Sequence, residues 1–541
     1  MYKIKNYFIA LVTLIGTVAL TPVAFAQSST WSTPVNLNLI PGQVTPINGT
    51  FNEQHPAMTS DRLSLYFGSD RSGTDVNGRP ISCGGIDIWV TQRDCPDCPW
   101  GPPANLDRDR LAQGLPCVIN SSANDNASNL TPDGRRLFFL SFRTSDSCGG
   151  SDLYYTEREN SADNFAWLAP RNLNRFGRDA GENLICGGIG DLNLVNTPNA
   201  EGAPSYFFDP VTDKTVLYFS RSDQPTNSGD FDIFTSTLGE DGTWGAIARD
   251  NELSLSPYRD TRNAIRQDGL EMLLASERPG FPGSSDTRKL WFSTHTSTRD
   301  AWSIPMLVPN LNSNGQDSGP AFSPDGNEVY FYSTRSGSLG GADLYRSTRT
   351  LPTIRTRNIE ADADSSCSAT INPSDLDDGS FDLDGGPLTF SLDPAGPFTL
   401  GSHTVRLVAT NNLGINNSAL ATITVVDHTP PVISGAAVDQ STLGPLNHRM
   451  VDVTVDYETS DNCSAVNAGL SISSNESING TGDGDTAPDW EVIDAHHVRL
   501  RAERSALGTG RIYTITITAG DGNGNLSAQT VTVRVPHTMN N

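Results

Sequence analysis

A chain of 541 residues has room for about two to four domains, and its 62 acidic against 37 basic side chains leave a formal charge of −25. A balance this acidic excludes nucleic acid and argues against insertion into an anionic membrane, because such partners are held by Lys and Arg neutralising phosphates. It favours solubility, cationic partners or calcium.

In chain order, residues 1–26 carry Lys3 and Lys5, an apolar stretch from Phe8 to Leu20 and the small-x-small step Ala24-Phe25-Ala26. This is the pattern of a cleaved secretory signal, too short for a lasting membrane helix. Gln27 rather than Cys follows, so no lipid anchor is expected. The chain is read as exported: periplasmic, extracellular or loosely attached to the cell surface.

From residue 27 to about 350 a phrase recurs. WSTPVNL, WGPPANL, WLAPRNL, WGAIARDNEL and WSIPMLVPNL begin at Trp31, Trp100, Trp167, Trp244 and Trp302, 58 to 77 residues apart. After each comes a second phrase: HPAMTSDRLSLYFGSDRSG with GGIDIWVTQR, ASNLTPDGRRLFFLSFRTS with GGSDLYYTER, APSYFFDPVTDKTVLYFSRSD with GDFDIFTST, RNAIRQDGLEMLLASERPG with SDTRKLWFST, and GPAFSPDGNEVYFYSTRSG with GGADLYRST. Asp133-Gly134, Asp268-Gly269 and Asp325-Gly326 stand between apolar-alternating runs and predict hairpins. The flanking runs are rich in the β-branched and aromatic residues that half-buried strands favour. Each unit therefore reads as four strands. Repetition at this period means a β-propeller, with five blades expected and six as the alternative. The first Trp phrase precedes the first hairpin and the last hairpin has none after it, so WSTPVNL is expected to complete the fifth blade and close the ring.

These repeats resemble the WD-like Asp-Gly propeller repeats of the periplasmic Tol-Pal propeller protein, best between Pro320 and Tyr345. Repeat three departs at Asp209-Pro210, and repeat four has SSDTRKLW in place of the Gly-Gly-x-Asp phrase.

Eight Cys in an exported chain predict disulfides. Cys83, Cys95, Cys98 and Cys117 cluster in the first repeat, and Cys148 and Cys186 in the second. Their connectivity is open from sequence, and the Cys95–Cys98 spacing also admits zinc or thiol chemistry. Arg71, Arg143, Arg278 and Arg335 follow the second strand, while Asp87, Asp152, Asp232 and Asp343 open the third. Recurrence in every blade argues for structural pairing, so Arg71 with Asp87, Arg143 with Asp152 and Arg335 with Asp343 are expected to tie the turn between those strands.

After a connector at 351–358 the composition shifts to Thr, Val, Asp and Gly. Alternation in HTVRLVAT and ALATITVV, and later in RIYTITITAG and QTVTVRV, predicts two immunoglobulin-like β-sandwiches at 359–431 and 432–536, with a tail at 537–541. The phrases FTLGSHTVRLVATNNLG and SDNC resemble the hyalin-repeat, polycystic-kidney-disease-type and immunoglobulin-like modules of bacterial surface proteins. Cys367 and Cys463 fall in different units. Asp375, Asp377, Asp378, Asp382 and Asp384 crowd one loop, Asp483 and Asp485 a second, and Asp521, Asn523 and Asn525 a third. Calcium takes six to eight oxygens from loops of this kind, and ordinary turn chemistry is the competing reading. No other cofactor is expected.

No nucleophile elbow or Ser-x-Asp-x-Gly-x-x-Trp box occurs, and the eight His make no metal-ligand pattern. The functional expectation is a non-enzymatic recognition or scaffold protein that binds a protein or glycan through the propeller face, with the sandwiches as stalk or second contact. The alternatives are a carbohydrate-active hydrolase with carboxylates at the tunnel mouth and a purely structural surface protein.

Overall fold

The computed structural model describes residues 31–177, 183–188, 191–222, 230–280, 288–308, 310–478 and 486–537. The signal segment, the cleavage site and the Asp483–Asp485 loop lie outside them. The described chain is almost entirely β, with Arg108–Gln113 as its α-helix. No helix among the described residues is long and apolar enough to cross a membrane.

The repeats form a propeller of four-stranded antiparallel sheets. From the axis outwards, the first sheet is Glu53–Met58, Ser64–Ser69, Asp87–Gln92 and Ala104–Asn105. The second is Asp125–Leu130, Arg136–Ser141, Asp152–Glu157 and Arg171–Asn172. The third is Glu201–Asp209, Lys214–Ser222, Phe231–Leu238 and Trp244–Arg249, and the fourth Asp260–Ile265, Glu271–Ser276, Lys289–Thr294 and Met306–Leu307. In the fifth, Asp317–Phe322, Glu328–Ser333 and Asp343–Thr348 are completed on the outside by Val35–Asn36 from the start of the chain. The inner strands touch in cyclic order, the fifth against the first.

The recurring residues explain the ring. Trp31 lies under Arg349 at 4.2 Å, as Trp100 lies under Arg93 and Trp167 under Arg158 at 4.2 and 4.3 Å. In the fourth sheet His295 stacks on Trp302 at 3.9 Å. These four Trp thus cover the end of the third strand with a ring on which a flat side chain stacks, whereas Trp244 meets Phe138 and Phe176. The Asn of the Asn-Leu phrase serves the same sheet: Asn36, Asn105 and Asn172 donate to Asp343, Asp87 and Asp152 at 2.7, 2.8 and 3.1 Å. The first and third hairpins turn without glycine, placing Arg62 and Asp213 at φ 62° and 54°, whereas Gly134, Gly269 and Gly326 take the left-handed position in the others.

The expected Arg–Asp pairing is corrected. Arg71, Arg143 and Arg335 bond Glu53, Asp125 and Asp317, the acids that open the inner strands, at 2.9, 2.8 and 2.7 Å. Arg221–Glu201 and Arg278–Asp260 repeat the contact. Asp87, Asp152 and Asp343 instead face the outer strand and cap the N–H groups of Cys83, Cys148 and Leu339. Each Arg therefore ties the second strand to the innermost one of its own sheet.

Two smaller two-sheet units follow. In one, Ile359–Asp362 runs parallel to Asn416–Val426, which pairs through Gly401–Thr410 to Thr389–Asp393, opposite the short pair Ser368–Ala369 and Phe398–Thr399. Leu376, Val405, Leu407 and Ile423 fill it. In the other, Val432–Val438, Met450–Ser460, His497–Arg501 and Trp490–Val492 face Asn467–Ser474, Gly510–Gly520 and Leu526–Pro536 across Val455, Leu500, Tyr513 and Ile515.

The first unit docks on the hairpin-turn end of the third and fourth sheets. Arg406, 2 % exposed, bridges Asp209 and Asp393 at 2.8 and 2.7 Å. Asn416 accepts from Arg266, and Ser418 donates to Asp268. Asp209 is the residue at which the third repeat leaves the Asp-Gly pattern, and the docked unit gives that departure a use.

Candidate functional site

Antiparallel order fixes two ends. Inner strands run towards the hairpin turns, so the long connections after every second and fourth strand emerge at the opposite end, called here the loop face. The bridges Cys83–Cys117 and Cys148–Cys186 tie such connections together, while Cys95–Cys98 closes a turn after a third strand. With both sulfurs bonded to each other, Cys95 and Cys98 present no zinc site. Cys367 and Cys463 are free and adjacent; burial first, then the Cys367 thiol beside it, pushes Cys463 up to about 12.

On the axis, every inner strand carries a bulge: the register with the second strand slips by one residue in all five sheets. The bulged residues are His55, Ala127, Ala203, Arg262 and Gly319, at φ 50°, 54°, 50°, 55° and 60°. This left-handed conformation suits Gly and costs other residues about 1–3 kcal/mol. Three of the five positions carry Gly or Ala, which add the least bulk at the axis. His55 and Arg262 place large polar side chains where alanine suffices, and that calls for a role beyond the fold.

The bulges surround a cavity of about 90 Å³, room for about three waters. Its polar lining includes His55, Ser128, Arg262 and Asn263. Neither ring nitrogen of His55 (4 % exposed) and neither amide atom of Asn263 (5 % exposed) has a hydrogen-bond partner among the described residues. The same holds for Ser128 Oγ and Arg262 Nε, and beside them for Asn126 Oδ1 and Ser318 Oγ. Buried polar atoms are normally paired, so this concentration marks a surface built to receive water or a ligand.

Charge at the site comes from one sheet. The fourth supplies Arg259, Arg262, Arg288 and Lys289, the last standing where the other four sheets have Asp. Burial, and behind it the repulsion of Arg262 and Arg288, holds His55 well below the usual imidazole value and therefore neutral. Burial also weakens the charged form of Arg262, with Arg288 and Arg259 adding repulsion against the favourable Tyr332. Tyr332 meets His55 edge-on at 5.1 Å and lies 6.0 Å beneath Arg262. No carboxylate lines the cavity among the described residues. The acids nearest the axis, Glu53, Asp125, Glu201, Asp260 and Asp317, are buried against their own arginines.

At the other end the cavity shares Met58, Asn129, Leu130, Ile265 and Phe322 with a gap of about 650 Å³ beneath the docked unit. The acidic loop of the C-terminal third is not gathered into a cation site: Asp377 takes the Ser380 N–H and Asp382 the Asn411 amide. With Asp375, Asp378 and Asp384 they do not converge, whereas Asp427, Asp461 and Asp521 bring carboxylate oxygens within 4.8 Å of one another. Asp521 is occupied by the N–H groups of Asn523 and Asn525, as in an ordinary turn.

The sequence already held the signal for the axis residues. His55, Ala127, Ala203, Arg262 and Gly319 stand at equivalent places in the five repeats, at or beside the first residue of each hairpin phrase, and only two of them break the run of small side chains.

No family model matches the chain, and no curated protein matches it. Among solved structures, arabinanase Arb43A of Bacillus subtilis is 12 % identical, over 55 % of this chain and 94 % of that one, with a TM-score of 0.34. An endo-arabinase of Bacteroides thetaiotaomicron is 12 % identical, over 59 % and 98 %, with a TM-score of 0.35. A TolB structure from Agrobacterium tumefaciens is 12 % identical, over 68 % and 79 %, with a TM-score of 0.28. A likeness at this level concerns the fold. The expectation of a non-enzymatic chain is nevertheless corrected: arabinanases, a family 117 glycoside hydrolase of Zobellia galactanivorans and a GH43 enzyme of Xanthomonas citri recur among these matches.

Proposed function

We propose that this is an exported, carbohydrate-active five-bladed propeller carrying two immunoglobulin-like modules, and that it engages a glycan on the propeller axis from the loop face. The observation that carries the reading is the set of buried, unpartnered polar atoms on His55, Ser128, Arg262 and Asn263 around one axial cavity. Sugars are recognised by such convergent donors and acceptors beside an aromatic ring, the part taken here by Phe322. The docked unit occupies the turn end, which leaves the loop face as the approach, and the bridged connections stiffen its rim.

The test is a glycan array probed with the chain lacking residues 1–26, followed by a reducing-end assay on every glycan bound. Retention of at least one glycan class that competes with itself in solution supports the reading, and release of new reducing ends adds hydrolysis to it. A chain that retains no glycan contradicts it.

A further inference from the structure

We infer that the axial site is selective for an acidic sugar, a glycan whose terminal residue carries a carboxylate, as a uronic acid does. The inference rests on the glycan reading above and deepens it.

In a chain of net charge −25, the described residues around the axial cavity present cations and no carboxylate. The arginines at the ends of the second strands are spoken for: Arg71, Arg143, Arg221, Arg278 and Arg335 hold the five inner-strand acids. Arg262 holds none. Its guanidinium makes no hydrogen bond or ion pair among the described residues, and its Nε is buried. A half-buried guanidinium without a partner is costly to keep charged, and its planar fork matches a carboxylate bidentately.

Neighbouring groups complete the recognition set. Asn263 offers an amide donor and an acceptor, both unused, on the residue next to Arg262. His55, neutral, offers one of each. Size decides how much enters. About 90 Å³ takes a carboxylate and the atoms next to it, not a chain running through the axis, so the acidic residue is terminal. Arg288 and Arg259 stand on the loop-face side, where each precedes a strand of the fourth sheet, and they raise the local concentration of an anion arriving there.

Pseudo-symmetry supplies a test that spares the fold. The second and third sheets carry Ala127 and Ala203 at the bulge with the same backbone, so Arg262→Ala and His55→Ala place a residue already accepted there. Titration calorimetry uses the chain lacking residues 1–26 with trigalacturonate, the neutral galactose trimer, a sulfated galactose trimer and acetate. We expect trigalacturonate to bind and the neutral trimer to bind at least about tenfold more weakly, with Arg262→Ala costing trigalacturonate tenfold or more, the loss a charged hydrogen-bond pair gives. Arg262→Lys is expected to recover part of that affinity.

Absence of trigalacturonate binding overturns the inference, as does binding that Arg262→Ala leaves unchanged. Preference for the sulfated trimer overturns the carboxylate assignment. Binding of the neutral trimer equally by wild type and Arg262→Ala overturns it while leaving the glycan reading intact. Acetate bound at Arg262 with all three trimers rejected sinks the glycan reading instead.

Discussion

At the scale of single residues, what repeats and what fails to repeat mean different things. The recurring Arg and Asp were legible in the sequence, but recurrence names the members of a contact and not its partners. The acids that Arg71, Arg143 and Arg335 bond are Glu53, Asp125 and Asp317, and the alternation of Glu and Asp among them hides their equivalence. Asp87, freed of an arginine, is buried, and that burial, with Asp125 and Asp107 nearby, pushes it up to about 7 against the N–H of Cys83 and the Asn105 amide. A carboxyl raised in the folded state binds its proton where the unfolded chain has released it. Its contribution is therefore favourable below about pH 4 and is lost as pH rises towards 7. Asp87→Asn should flatten that part of the stability profile, with the variant gaining on wild type between pH 4 and 8 in urea midpoints. A constant difference across that window would show that Asp87 does not titrate there.

At the scale of elements, the hairpins and the Trp phrases were readable because a turn needs a left-handed residue and a flat ring needs a flat partner, both local demands. The inner-strand bulge was not, since alanine carries no signature of positive φ and a one-residue slip leaves the hydrophobic alternation almost unaltered. Closure was readable from strand counting. Val35 and Asn36 pair with Arg346 and Tyr345, and Ser32 donates to Thr348 at 2.7 Å. Removing residues 27–40 takes away that outer strand together with Trp31 and Leu37, both buried. The bared edge of Asp343–Thr348 should then pair between molecules, so size-exclusion chromatography should show aggregates and melting should broaden. A monomer with an unchanged melting profile would mean that closure contributes nothing.

At the scale of the whole molecule, the composition shift after residue 350 marked where the propeller phrases stop, but nothing local announced the docking of the following unit. Its contacts join residues 94 to 197 positions apart, and only the broken Asp-Gly pattern at Asp209 hinted at a partner. Arg406 is the centre of that interface, enclosed between Asp209 and Asp393. Arg406→Ala leaves the buried Asp209 without a countercharge and Asp393 with Arg299 alone, a loss of about 3 kcal/mol. It should appear in urea as a separate early transition of the C-terminal units and as faster proteolysis near residues 351–358. A single transition at the wild-type midpoint would contradict the described docking.

The axial site itself is tested most directly by hydrogen exchange of the chain lacking residues 1–26, with and without saturating trigalacturonate. Protection is expected to be confined to the segments around His55, Ala127 to Asn129 and Arg259 to Asn263. Protection centred on residues 359–536, or on the hairpin turns beneath the docked unit, would contradict it.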